Sequence, residues 1–505
     1  MPSPQALKSC LLCIVMFSLG CQPDYYDSNA SDPPPAPASV LYTLKNEVSA
    51  LYVRAAGQDR VIFAYNDQSG FYTPSPGTGQ LTPKLSQSNA GLSYSLNAGV
   101  DWIRHGPLPP NPNCGDPVCP TLLRADPWLA QNSSRILYSH LAITKTSPSL
   151  DNDDPDAVAV SKSLDGGLTW SPMRVALHDP GQFVDKSSIA LFENAAVIAA
   201  IRVVGQTTWP ILVATSDDAG DSWMPLTVLN VPQLNIKKNP IVRLTSATSG
   251  YLCYMELDSM SSDGIYDLRV VRLSRQAGSS TWETTRIFAL ENLQIDPFIE
   301  GATANPNIGP RYWRDTVPVS FDVSSDGTHL YVAFRNKLQG DTFVMLADCV
   351  DAPMGTCAHA AGTNVSWRTQ NFRPGTPGIS QYQPGVTASS IVNDETIALT
   401  WYEEAPFPDS VSILVVGTYS RDGGTTWSPR YNIRPERQYW EPCPNAAATQ
   451  SSPGSIGDYF QSAILPLEYG VDAHPWIVTG FTASDAGCAD LGEVTFDQHI
   501  QATVW

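Results

Sequence analysis

One eight-residue pattern recurs three times in this chain: Ser163-Leu-Asp165-Gly-Gly167-Leu-Thr169-Trp170, Ser216-Asp-Asp218-Ala-Gly220-Asp-Ser222-Trp223 and Ser420-Arg-Asp422-Gly-Gly424-Thr-Thr426-Trp427. Each reads S-x-D-x-G-x-[ST]-W. Ser and Asp side chains accept hydrogen bonds from turn N–H groups, the glycine supplies a positive φ, and the Trp fills an apolar gap beside the returning strand. Ser95 to Trp102 is a fourth copy with Asn97 in place of Asp, Ser274 to Trp282 a looser one with Gln276 and one extra residue, and Trp367 the remnant of another. A hairpin repeated at this spacing signals an array or a closed ring of similar units.

A second register precedes the hairpins. A polar residue, usually followed by Pro, opens a short strand, and a more apolar strand follows: Asp126-Pro127 then ILYSHLAI, Asp185-Lys186 then AVIAAIR, Asn239-Pro240 then YLCYME. The series continues with Val317-Pro318 then LYVAFR, Gln383-Pro384 then IALTWYEE, and Asp458-Tyr459 then HPWIVTGF. With SALYVRA and VIFAYND at the start there are seven units, and period-2 strands broken by Gly, Pro, Asn and Asp make an all-β chain.

The hairpin resembles the Asp box (BNR repeat) of the sialidase superfamily, and the resemblance extends over nearly all of residues 40–505. It implies a β-propeller of four-stranded antiparallel blades in which the two termini share the last blade. Seven blades are favoured; six, as in sialidases themselves, remain if residues 456–505 complete the first blade. The resemblance is specific for fold and not for function. It makes Asp165, Asp218 and Asp422 structural residues, along with Ser163, Gly167, Trp170, Ser216, Gly220, Trp223, Ser420, Gly424 and Trp427.

Residues 1–20 carry one Lys, no acid and an apolar run from Leu11 to Leu19, the pattern of a signal peptide. The run ends in Ser18-Leu19-Gly20-Cys21, which resembles a bacterial lipoprotein box with Cys21 as the acylated residue; Ser18 departs from the apolar residue usual there. Residues 21–39, rich in Pro, Ser and Asp, read as a tether, and residues 40–505 as one propeller domain. The expected location is therefore outside the cell, either lipid-anchored to a bacterial envelope, with the outer membrane favoured, or secreted. With 49 acidic against 30 basic residues the chain disfavours nucleic acid and anionic surfaces. A monomer is expected. Of the cysteines beyond Cys21, the pairs Cys114–Cys119, Cys349–Cys357 and Cys443–Cys488 suit disulfides, with Cys253 left as a buried thiol.

Strand order places the starts of the first strands and the ends of the second strands at one end of the channel, and the hairpins at the other. The first set supplies Asp126, Asp185, Asn239 and Asp458; the second supplies Asn66, Asp67, His140, Arg202, Glu256, Arg335, Tyr402, Glu403 and Glu404. Polar groups converging on one mouth make it the expected ligand site, for a glycan or an extracellular protein. The sialidase resemblance offers an alternative, an exo-glycoside hydrolase. Arg202, Arg335 and Arg54 would clamp the substrate carboxylate, and Tyr459 would be the nucleophile with Glu403 activating it; another glycoside hydrolase would use an acid pair such as Asp126 and Asp185. Arg202 precedes its hairpin by 14 residues, as a clamp arginine does, but the Arg-Ile-Pro motif of the family is absent. No cofactor is expected. The acidic stretch Asp151, Asp153, Asp154 and Asp156 has the oxygen ligands for Ca²⁺ without the spacing of an EF-hand.

Overall fold

A computed structural model describes residues 26–29, 42–43, 45–55, 57–67, 72–74, 81–83, 89–105, 108, 118–123, 125–133, 135–144, 155–204, 208–231, 236–257, 265–294, 319–338, 341–351, 355–360, 362–372, 379–406, 411–433, 438–439, 461–466, 474–484 and 496–505. They form seven four-stranded antiparallel blades, with no helix among them. Blade I comprises Lys45–Ala55, Gln58–Asp67, Ala90–Ser95 and Ile103–Arg104; blade II Trp128–Gln131, Ile136–Thr144, Ala157–Ser163 and Arg174–His178; blade III Phe183–Phe192, Ala195–Val203, Ile211–Ser216 and Thr227–Val228. Blade IV comprises Ile236–Leu244, Ser249–Leu257, Ile265–Ser274 and Glu283–Gln294; blade V Val319–Val323, His329–Leu338, Asp341–Val350 and Arg368–Asn371; blade VI Ser380–Ala388, Ile397–Pro406, Val411–Ser420 and Tyr431–Asn432. The first strand of each blade lines the channel and packs on the first strand of the next.

Blade VII joins the ends of the chain. Ser462–Leu465, Trp476–Ser484 and Phe496–Val504 are its first three strands, and Tyr26–Asn29 is the fourth, pairing Tyr26 with Val504 and Asn29 with Gln501. Of the stretch read as a tether, these four residues are the part described, and they lie in the sheet. Trp505 donates from Nε1 to Thr479 Oγ1 at 2.8 Å and stands 6.0 Å from the Tyr431 ring of blade VI. Trp476 donates to the Ala98 carbonyl of blade I at 3.0 Å, so blade VII is held on both sides.

Second strands are buried on both faces, which is why they read as unbroken apolar runs rather than as alternation. Leu137 and Leu141 share a core with Ala196 and Ile198 of blade III, while Tyr138 and Ala142 share one with Ile62 and Leu92 of blade I. The recurring hairpins have one geometry. Ser163 Oγ accepts from Gly167 N at 2.8 Å, Asp165 accepts from Thr169 N at 2.9 Å and Thr169 Oγ1 at 2.6 Å, and Trp170 Nε1 donates to the Gly167 carbonyl at 3.0 Å. Gly167 sits at φ 89°, and a Cβ there would fall 2.4 Å from Ile62 Cδ1. The Ser216 and Ser420 hairpins repeat the serine and aspartate bonds, and Asn97 takes the aspartate's part by accepting from Asp101 N at 2.8 Å.

Cys349 and Cys357 form the expected disulfide. Cys119 is also disulfide-bonded, while its expected partner Cys114, and both Cys443 and Cys488, lie outside the described residues. Cys253 is free and buried, and burial pushes its thiol pKa up.

Two substitutions separate the sources of stability. Trp505→Ala should cost about 3–5 kcal/mol in urea unfolding, the range for emptying a buried aromatic site. Asp422→Ala should cost about 1–2 kcal/mol through lost turn hydrogen bonds. Bonds from Thr426 hold the Asp422 carboxyl at about 2 against an ordinary 3.8, so its contribution is complete above 3.8 and vanishes as pH falls through 2.

Candidate functional site

At the end of the channel where first strands begin, four non-glycine residues stand in the left-handed region at matching positions. They are Asp126 (φ 54°), Lys186 (φ 50°), Asn239 (φ 49°) and Gln383 (φ 44°) of blades II, III, IV and VI. Asp126, Asn239 and Gln383 each precede proline, where helical conformations are further disfavoured. Pairing with the second strand slips here, between Asp185 and Ser188, Lys238 and Ile241, and Tyr382 and Gly385, so the first strands of blades III, IV and VI carry a bulge. We call this set the collar.

The collar is polar and tightly held. Asp126, 1% exposed, accepts from Lys186 N at 2.9 Å through Oδ2 and from Lys186 Nζ at 3.3 Å through Oδ1. Beside it a hollow of about 20 Å³ is lined by Asp126, Trp128, Lys186, Ser187 and Asn239 among others, room for one water-sized group. Ser187 and Asn239, 3% and 6% exposed, are among its lining residues, and Ser187 Oγ and Asn239 Nδ2 form no hydrogen bond with the described protein. Buried polar atoms normally have a partner.

The residues expected at this mouth divide. Asp126 and Asn239 belong to the collar, and Asp185 adjoins it, half-buried opposite Ile201. Arg202 is spent on the Asp179 carboxylate. Glu256 is ion-paired with Lys237 Nζ at 3.1 Å and Arg269 Nε at 3.2 Å, all of them buried. Arg335 is fully buried, its guanidinium 5.3 Å over the Tyr382 ring of blade VI. Glu403, 1% exposed, accepts from Gln381 at 2.9 Å and Trp401 at 2.8 Å through Oε1, while Oε2 meets Arg430 in an ion pair.

Arg54 is a correction. It lies near the end of a first strand, at the hairpin end of the channel, with Nε 3.6 Å from Asp59. It therefore cannot join Arg202 and Arg335 in one clamp, and those two are themselves engaged at different blade junctions. Asp458, Tyr459, Cys21, Asp151, Asp153 and Asp154 lie outside the described residues. Asp156 turns inward instead of toward a cation. Burial alone would raise its carboxyl pKa, but bonds from His178 and Thr144 outweigh that and hold it low. No group of three metal-ligating side chains occurs among the described residues.

His140 is fully buried between blades I and II, beside Tyr138 at 5.9 Å. Its Nδ1 lies 3.1 Å from the Leu141 carbonyl, which only accepts, so Nδ1 carries the proton and Nε2 is left as an acceptor without a donor. Burial lowers its pKa from 6.5 to about 4, against smaller opposing effects of that hydrogen bond and of Asp126. Nearby Tyr65 bonds Ser93 at 2.9 Å, and Arg104 pairs with Asp67.

The opposite end is roomier, with a cavity of about 450 Å³ lined by Gln131, Arg243, Asp322, Ser389 and Gln461 among others. Its polar groups bond one another: Arg243 Nε to Asp322 at 2.7 Å and Gln131 Nε2 to the Tyr52 carbonyl at 2.6 Å. None of the buried side-chain atoms lacking a partner among the described residues lines it.

No family model matches the chain, and no curated protein matches it. Solved structures do. A Dyadobacter fermentans protein of unknown function is 12% identical over 76% of this chain and 97% of that one, with a TM-score of 0.41. An ulvan lyase bound to a GlcA–Rha3S chain is 9% identical over 91% and 94%, with a TM-score of 0.44. A Trypanosoma rangeli sialidase in complex with the inhibitor DANA is 10% identical over 76% and 55%, with a TM-score of 0.36. Likeness at this level concerns architecture alone.

His140 gives a pH signature. Between pH 6.5 and 4 the unfolded chain takes up a proton at this site that the folded protein does not, so stability falls as pH is lowered through that window. His140→Leu should remove that part of the slope in urea unfolding at pH 7.5 and 4.5. An unchanged slope would mean that the imidazole titrates freely.

Proposed function

We propose that this protein is an exported propeller that binds a glycan at the collar and does not cleave it. The observation that carries the proposal is that two residues lining one small hollow beside Trp128, Ser187 and Asn239, each hold a buried, unbonded polar atom, Ser187 Oγ and Asn239 Nδ2. Leaving such groups unpaired costs about 1–3 kcal/mol each, a cost that a bound hydroxyl relieves. Sugar hydroxyls both donate and accept, which suits an amide N–H and a serine in one hollow. Hydrolysis of the sialidase type lacks comparable support, because Arg54 stands at the far end and Arg202 and Arg335 are engaged elsewhere.

The anchor belongs to the same proposal. Cys21 lies five residues before Tyr26, a reach of at most about 18 Å. Tyr26 pairs with Val504 at the hairpin end of blade VII. A lipid on Cys21 would hold that end toward the membrane and leave the collar facing away.

Glycan-array profiling of the mature protein tests the reading together with fluorogenic sialosides and neutral glycosides. Binding without turnover is expected, weakened about tenfold or more by Asn239→Gly, one good hydrogen bond being worth roughly that factor. Turnover that disappears in Tyr459→Phe would replace binding by hydrolysis, and silence on the array would remove the proposal.

A further inference from the structure

We infer that the collar selects an uncharged hydroxyl-bearing group over a carboxylate or sulfate. The inference rests on the glycan-binding reading and names the class of glycan that the site takes.

Five of the cations around this end have acids. Lys186 holds Asp126, Arg202 holds Asp179, Arg104 holds Asp67, and Lys237 and Arg269 share Glu256. Lys186 is the one that lines the hollow. An arriving carboxylate would compete with Asp126 for that ammonium, and Asp126 is 1% exposed, so losing Lys186 Nζ would leave a buried carboxylate with a weaker set of donors. Separating a buried ion pair in this way is strongly unfavourable. What the hollow offers without disruption is neutral: an amide N–H from Asn239 and a hydroxyl from Ser187. A neutral donor and a hydroxyl recognise a sugar hydroxyl without any change in charge pairing.

The backbone supports the assignment to ligand reading. Asp126, Lys186 and Asn239 hold a conformation that glycine would adopt without strain, yet each is a residue with a polar side chain among those lining the hollow. A position serving the bulge alone would be better filled by glycine. Asn239→Gly is therefore a clean probe, because it removes the amide while easing the φ of 49°.

The test uses the mature full-length chain and matched probes, each backbone in neutral and acidic form: glucan with glucuronan, galactan with galacturonan, lactose with 3′-sialyllactose. Dissociation constants are measured at low and high NaCl. The neutral member should bind at least about tenfold tighter than its acidic counterpart, the factor that one disrupted interaction of 1.4 kcal/mol gives. Its affinity should be indifferent to salt, since screening acts on charged ligands. Asn239→Gly should lose that binding while its thermal midpoint stays level or rises. Preference for the acidic member, or affinity that falls steeply with salt, overturns the neutral assignment and leaves glycan binding standing. Failure of every probe removes the glycan reading and this inference together.

Discussion

The structure depends on the hydrogen bonds that tie each first strand to the next around the channel. Ser49 Oγ of blade I accepts from Leu129 N of blade II at 3.0 Å, and Asp126 of blade II from Lys186 N of blade III at 2.9 Å. Ser188 of blade III donates to the Pro240 carbonyl at 2.6 Å and accepts from Val242 N at 3.1 Å, and Arg243 of blade IV meets Asp322 of blade V at 2.7 Å. Ser320 of blade V accepts from Val386 N at 3.1 Å, Thr387 of blade VI from Ser462 N at 3.3 Å, and Gln461 Oε1 from Ala50 N at 3.3 Å. All seven junctions are bridged. Closure leaves no first strand with an unpaired neighbour, and it fixes where every first strand begins.

The collar lies where those strands begin. At the start of the first strands of blades III, IV and VI the pairing slips, and Lys186, Asn239 and Gln383 stand there in the left-handed region, as does Asp126 just before the first strand of blade II. Asp126 then serves two ends, bridging blades II and III and flanking the hollow. The hairpin end uses its polar groups differently, since Arg243 and Asp322 are consumed by each other and Gln131 by the Tyr52 carbonyl. Of the two hollows, the smaller is the one whose lining residues include buried polar atoms without a partner among the described residues.

Much of this was legible in the sequence, and the reasons for the rest are specific. The hairpins could be read because their bonds are local, Ser163 to Gly167 and Asp165 to Thr169, and need no knowledge of the fold. Seven units could be counted because doubly buried second strands stand out as apolar runs. Asp126-Pro127 stands just before its first strand, but Asn239-Pro240 and Gln383-Pro384 lie three residues inside theirs, at a bulge that gave no separate signal, and Lys186 and Ser187 were missed. Arg54 was misplaced because it closes a first strand and not a second one. Arg202 and Arg335 share a position in their blades, yet Arg202 turns back to Asp179 of blade II and Arg335 forward to Tyr382 of blade VI. That parity depends on register, which flips side chains from one face to the other with a single-residue slip.

The most direct test of the central claim, that the collar is built to hold a ligand hydroxyl, is a high-resolution crystal structure of the ligand-free protein. An ordered water is expected in the hollow within hydrogen-bonding distance of Asn239 Nδ2 and Ser187 Oγ, with Asp126, Lys186 and Asn239 all at positive φ. A dry hollow, with those two atoms bonded elsewhere in the protein and the bulges relaxed to negative φ, would contradict it.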